Sequence, residues 1–302
     1  MQVKANGIDV EVVTHGDASS PTILLVNGYT SQLINWPKPF VDGLVAAGFH
    51  VVTYDNRDVG LSQKFSGTPD PRATFKAMME GRVPDIPYTL SDMAADGIGV
   101  LDALGVAKAH VLGVSMGGMI VQLMGIEHGG RLLSLTSIMS STGNPDVPPA
   151  TAEAQTALNE PAPSNGRADV ITHSTKGRRT YESPAYRKSD AEYAALIGEA
   201  YDRMFYPEGY ARQYCAIVAD GNRVERLKSV TVPTLVIHGK DDNLVRVEGG
   251  IDTAKSIPGA RLELIDGMGH DLPEGLCDRF LELVTGHCSA HGGTRGASAA
   301  AD

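Results

Sequence analysis

The sequence predicts an α/β layered domain: a mostly parallel central sheet flanked by helices, with an inserted helical cap. Three observations predict it. Several apolar, β-branched runs are near-continuous rather than alternating, the pattern of strands buried on both faces. Helical patterns lie between those runs, which implies right-handed crossovers. A long Pro-rich and polar block then separates two of the buried runs.

Strands are expected at about residues 9–14 (DVEVVT), 22–27 (TILLVN), 50–55 (HVVTYD), 109–114 (AHVLGV), 132–138 (LLSLTSI), 234–238 (TLVIH) and 261–265 (RLELI). Between them, residues 89–104 place Leu90, Met93, Ala94, Ile98, Leu101 and Leu104 at three- and four-residue steps. Thr89 or Ser91 can cap that helix, and Gly105 follows its end. Residues 117–128 and 272–285 give two more helices. The stretch 63–88 holds Pro69, Pro71, Pro84 and Pro87 and reads as a long loop with a short helix near Ala73–Glu80.

The block 143–228 begins Pro-rich (NPDVPPA), turns polar (EPAPSNGRAD) and continues as a helical, aromatic-dotted segment. It reads as the cap, leaving residues 1–142 and 229–287 as the core. Residues 288–302, small and polar, are expected to be a disordered tail.

Composition narrows the function. A chain of 302 residues suits one large domain with an insertion, and 42% hydrophobic against 21% charged residues is ordinary globular usage. A formal net charge of −10 argues against non-specific nucleic-acid binding, which needs basic patches to displace counterions. Cys215, Cys277 and Cys288 are odd in number and without metal-like spacing, so neither a disulfide framework nor a zinc site is expected. The start MQVKANGIDVEVVTHG lacks a signal-peptide pattern, and no apolar run approaches the roughly 20 residues of a membrane span. The expectation is a cytoplasmic protein without stable membrane insertion, with monomer and homodimer both open.

The sharpest chemical signal is Gly113-Val114-Ser115-Met116-Gly117-Gly118, at the end of one buried strand and the opening of a helix. A serine on a tight strand-to-helix turn is an exposed nucleophile, with glycines where bulkier residues would clash. Such a serine needs a base, and the base needs an acid to orient it. Downstream, TLVIHGKDDNLV offers Asp241 and Asp242 after a strand, and RLELIDGMGHDLP offers His270 in a glycine turn. Asp242 follows Ser115 by 127 residues and precedes His270 by 28, one strand-helix-strand unit. All three therefore project from the C-terminal edge of the sheet, where open α/β sheets bind ligands.

Asp242 is preferred to Asp241, which is left to cap the turn. The other position for an acid, after the strand 132–138, holds Ser140, Ser141 and Thr142 and no carboxylate. Among nine histidines, only His270 has the right edge and order. His238 more simply packs or braces a turn; His287 and His291 fall at or in the tail. The oxyanion of acyl transfer needs two donors. Met116 N–H supplies one, and Tyr29 N–H supplies the other, from the loop Asn27-Gly28-Tyr29 where Gly28 allows close approach. The charged turn Asp55–Ser62 reads as ion-paired structure, and Asp96 as a solvated or capping residue. Trp36 and Pro37 read as packing behind the oxyanion loop. Met204, Phe205, Tyr206, Tyr210 and Tyr214 either line an acyl pocket or form the cap's packing face; packing is preferred.

Together these residues resemble the α/β-hydrolase superfamily, and within it a bacterial branch of aclacinomycin methylesterase-like and lipase G-like esterases. The resemblance is carried by VNGYTSQLINWPKPFVDGLVAAGFHVVTYDNRDVGLS, YTLSDMAADGIGVLDALGVAKAHVLGVSMGGMIVQ, VPTLVIHGKDDNLV and DGMGHDLP, nearly all the core and little of the cap. It implies an α/β-hydrolase fold with Ser115 as nucleophile, Asp242 as acid, His270 as base, and Met116 and Tyr29 as oxyanion donors. Asn27-Gly28 departs from the His-Gly with which many relatives begin the oxyanion loop, but a backbone donor does not depend on that side chain. The expected activity is a serine carboxylesterase acting on a small-molecule ester, with no cofactor or metal. Alternatives on the same fold are a lactonase, a thioesterase or phospholipid lipase, and a proline-iminopeptidase-like or perhydrolase activity. Outside hydrolysis stand a non-catalytic ligand-binding protein and a cofactor-free oxygenase.

Overall fold

The computed structural model describes residues 1–292. Its strands are β1 (Gln2–Ala5), β2 (Ile8–His15), β3 (Thr22–Val26), β4 (His50–Tyr54), β5 (Ala109–Val114), β6 (Leu132–Ile138), β7 (Thr234–Gly239) and β8 (Arg261–Ile265). They form one sheet in the order β1-β2-β4-β3-β5-β6-β7-β8. The β1–β2 and β2–β4 pairs are antiparallel, and every later pair is parallel. β3, β4, β5 and β7 are buried along their whole length, as their unbroken apolar runs require. Seven of these strands were legible; β1, a short edge strand with only Ala5 buried, was not.

The helices are α1 (Lys38–Ala46), α2 (Pro71–Met79), α3 (Leu90–Ala103), α4 (Met116–His128), α5 (Ala152–Asn159), α6 (Arg167–Arg179), α7 (Asp190–Arg203), α8 (Glu208–Asp220), α9 (Val224–Leu227), α10 (Val247–Ser256) and α11 (Cys277–Ala290). α3 and α4 cover one face with Leu90, Met93, Leu101, Ile120 and Leu123. α1 and α11 cover the other with Phe40, Leu44, Phe280 and Val284. At the start of α3, Thr89 and Asp92 exchange side-chain-to-backbone bonds, a capping box that stops the helix fraying. Five helices, α5 to α9, fill the excursion between β6 and β7 where the cap is expected.

Two expectations change. α11 starts later than 272 and runs through Ala290, so residues 288–290 are helical rather than tail; His287 and Cys288 are buried in it. Residues 293–302, the rest of the expected disordered tail, lie outside the described residues. Asp96 is not solvated: it is 2% exposed and receives Arg57 Nε at 2.7 Å. No helix among the described residues is long and apolar enough to cross a membrane.

The strand order places the site. From β3 the chain steps to β4 on one side, then crosses to β5 on the other, so the sheet switches direction between β3 and β5. Val26 and Gly113 are register partners there. A crevice opens at such a switch, beyond the carboxyl ends of the strands.

Candidate active site

Ser115 sits between β5 and α4 with φ 54° and ψ −120°, a strained conformation for a side-chain-bearing residue. Its surroundings hold it there. Its N–H donates to Ile138 O at 3.0 Å, and its carbonyl accepts from Gly118 N at 2.9 Å and Met119 N at 3.2 Å. Ser140, from the stretch without a carboxylate, donates its hydroxyl to the same carbonyl at 2.8 Å. A Cβ on Gly117 would run into the Val26 and Asn27 carbonyls, so glycine is what lets α4 begin this close to β3.

His270 reaches the serine from the loop after β8. Its Nε2 lies 2.9 Å from Ser115 Oγ, and its Nδ1 lies 2.7 Å from Asp242 Oδ2. An ionised carboxylate only accepts, so the proton of the neutral ring sits on Nδ1 and Nε2 faces the serine hydroxyl with its lone pair. Asp242 Oδ1 accepts from Leu244 N at 2.9 Å and Val245 N at 2.8 Å. Burial alone would raise this carboxyl, but the His270 charge and the His238 bond outweigh it and hold the pKa at about 2. His238 braces the turn as expected, with Nε2 2.8 Å from Val245 O. The same nitrogen also lies 3.5 Å from Asp242 Oδ2. Asp241 instead caps the neighbouring turn, accepting from Gly267 N at 2.8 Å.

The oxyanion candidates flank the serine. Met116 is the first residue of α4, where a backbone N–H has no acceptor within its own helix. Gly28 lies against Ser115: a Cβ there would stand 3.2 Å from Ser115 Cβ. Asn27 closes this loop through its side chain, donating to Gln32 O at 2.9 Å. Tyr29 turns its ring toward Tyr210 and Tyr214 of α8, each with centroids 6.1 Å away. Trp36 packs against Phe40 behind the loop.

Several contacts to this site escaped the sequence reading because they come from the inserted segment. Tyr181 O accepts from His270 N at 2.7 Å, and the Tyr181 ring meets the imidazole edge-on. Ser183 Oγ accepts from Gly269 N at 2.9 Å and donates to Asp271. Asn243, next to Asp242, donates to Thr180 O at 2.6 Å. The segment 180–183 thus grips the turns bearing both the imidazole and the carboxylate. Only Asp271 had a local signal, its place beside His270. The charged turn Asp55–Ser62 is ion-paired as expected, joining Asp55 to Arg203 of α7 at 2.8 Å and Asp58 to Arg212 of α8 at 2.8 Å.

A serine–imidazole–carboxylate chain at the switch point of an eight-stranded sheet defines a class, and comparison agrees. Residues 21–274 match the model of the alpha/beta hydrolase fold family, and the chain belongs to it. Rhodomycin D methylesterase DnrP of Streptomyces peucetius is 29% identical over 297 residues, covering 91% of this chain and 93% of the relative. 3-Oxoadipate enol-lactonase 1 of Acinetobacter baylyi is 28% identical over 95% of both chains. Among solved structures, the meta-cleavage product hydrolase CumD of Pseudomonas fluorescens IP01 superposes with a TM-score of 0.76 at 20% identity, covering 96% of this chain and 97% of that one. That likeness speaks for the fold.

Proposed function

We propose that the protein is a serine carboxylesterase in which Ser115, His270 and Asp242 form the catalytic triad. The observation that carries it is the pair of short contacts, 2.9 Å and 2.7 Å, joining serine to imidazole to a buried carboxylate. Ser115 Oγ attacks the ester carbonyl while His270 Nε2 takes its proton. Asp242 orients the ring and stabilises the imidazolium that forms. The tetrahedral oxyanion is held by the N–H groups of Met116 and Tyr29. Collapse expels the alcohol, which takes the proton from His270, and leaves an acyl group on Ser115. Water then enters by the same route and releases the acid.

The methylesterase relatives favour the methyl ester of a small molecule as substrate. The helices between β6 and β7 act as the cap that shapes the acyl and alcohol pockets. A lactone is the second reading, favoured by the enol-lactonase relative that matches over 95% of its length. In a lactone the leaving alcohol stays tethered to the acyl group, and the same residues serve. Comparing hydrolysis of carboxylic esters and of a lactone by the wild type and Ser115→Ala tests both readings. Turnover in the wild type alone supports the triad, and the better substrate decides between them.

A further inference from the structure

The loop after β3, which carries Tyr29, is gripped by α8 of the inserted segment. Tyr210, Gln213 and Tyr214 recur at helical spacing and so lie on one face of α8. Tyr29 OH donates to Tyr210 O at 3.2 Å, and its ring meets those of Tyr210 and Tyr214. The next peptide is fixed as well: Thr30 N–H donates to Gln213 Oε1 at 2.9 Å. Thr30 has φ 58°, a left-handed conformation that a β-branched residue avoids unless its surroundings impose it. Gln213 is fully buried, and its other end donates to Arg57 O at 2.9 Å. Arg57 is itself locked by Asp96. The amide of Gln213 therefore ties the oxyanion loop to a rigid turn of the core, and Arg212 beside it anchors α8 through Asp58.

We infer that Gln213 is a positioning residue for the oxyanion hole: by holding the Thr30 peptide in its left-handed conformation, α8 aims Tyr29 N–H at the developing oxyanion. This rests on the esterase reading above. Without the bond, Thr30 relaxes toward an ordinary φ and the preceding peptide turns away from Ser115. Ground-state binding is little affected, because the donor is needed only when the carbonyl oxygen becomes an anion.

The test measures kcat and KM on an ester, and the affinity of an alkyl boronic acid, for wild type, Ser115→Ala, Gln213→Met and Gln213→Asn. The boronic acid adds to Ser115 Oγ and places a tetrahedral, anionic centre at the site. Both Gln213 variants are expected to lose kcat by roughly 10- to 100-fold, short of the loss from deleting a donor outright. KM should stay within about threefold, and boronate affinity should fall in step with kcat. Folded variants that keep kcat, or lose it with boronate affinity intact, overturn the inference. In the wild type, the Thr30 amide should exchange its hydrogen as slowly as the amides of α8; exchange at the rate of a free loop also overturns it, whatever the variants do. A wild type without ester turnover would instead sink the esterase reading itself.

Discussion

Asp242 is satisfied on every side. One carboxylate oxygen takes two backbone N–H groups, and the other faces both His270 and His238. Asn at this position fits the same space but presents an amide group to Nδ1 and so selects the wrong imidazole tautomer. Asp242→Asn is therefore expected to cut kcat by about 10⁴-fold while the thermal midpoint moves little. A loss below tenfold, measured by steady-state kinetics, would take Asp242 out of the proposed role. The residues at this scale were legible to the extent that their chemistry is local in sequence. Ser115 announces itself by flanking glycines, and His270 and Asp242 by their place in turns after strands. Tyr181 and Ser183 reach the turn that bears His270, and Gln213 the loop after β3, from a distant segment, and nothing in their neighbourhood marks them. Asp96 was misread for the same reason: its partner Arg57 lies 39 residues away.

At the scale of elements, the contact between the inserted helices and the core turn after β4 deserves a measured energy. Asp58 is fully buried and receives Arg212 Nε at 2.8 Å, Tyr88 OH at 2.6 Å and Phe65 N at 2.7 Å. Arg212→Met removes the cation and leaves the carboxylate in the dark, which should cost about 3–5 kcal/mol in chemical unfolding. Adding Asp58→Asn removes the stranded charge, so the double variant should lose less than the two singles summed. Strict additivity would mean that the pair contributes nothing beyond its parts. β3, β4, β5 and β7 were legible because burial on both faces writes an unbroken apolar run. α1 was missed, α10 was expected only as the unbounded helix of the strand-helix-strand unit between Asp242 and His270, and the inserted helices were seen only as a block, because half-exposed helices carry a weaker pattern and the inserted block is interrupted by Pro and Gly. The end of α11 was misjudged because Cys288 and His287 pack against the sheet, which a small, polar composition does not reveal.

At the scale of the whole molecule, acid should loosen the sheet edge opposite the site. Burial first, and then the neighbouring histidines, push His110 and His287 down to about 4. Nε2 of each is buried with no hydrogen-bond partner among the described residues. The unfolded chain takes up protons on these rings near pH 6.5, whereas the folded chain resists until about pH 4. Stability is thus fully present above pH 6.5 and lost as pH falls toward 4, by about 2–3 kcal/mol for each ring. Asp96 and Asp271, whose carboxyls burial pushes up, oppose this at the acid end. The clean readout is the difference: His287→Gln should show a shallower fall in thermal midpoint across that window than the wild type, and parallel curves would contradict the assignment. The central claim, that this molecule hydrolyses carboxylic esters through Ser115, is tested most directly by initial rates on p-nitrophenyl esters from acetate to palmitate, for wild type and Ser115→Ala side by side. The expected result is turnover that peaks at one chain length and falls at least about 10³-fold in the variant. Equal rates for the two proteins at every chain length would contradict it.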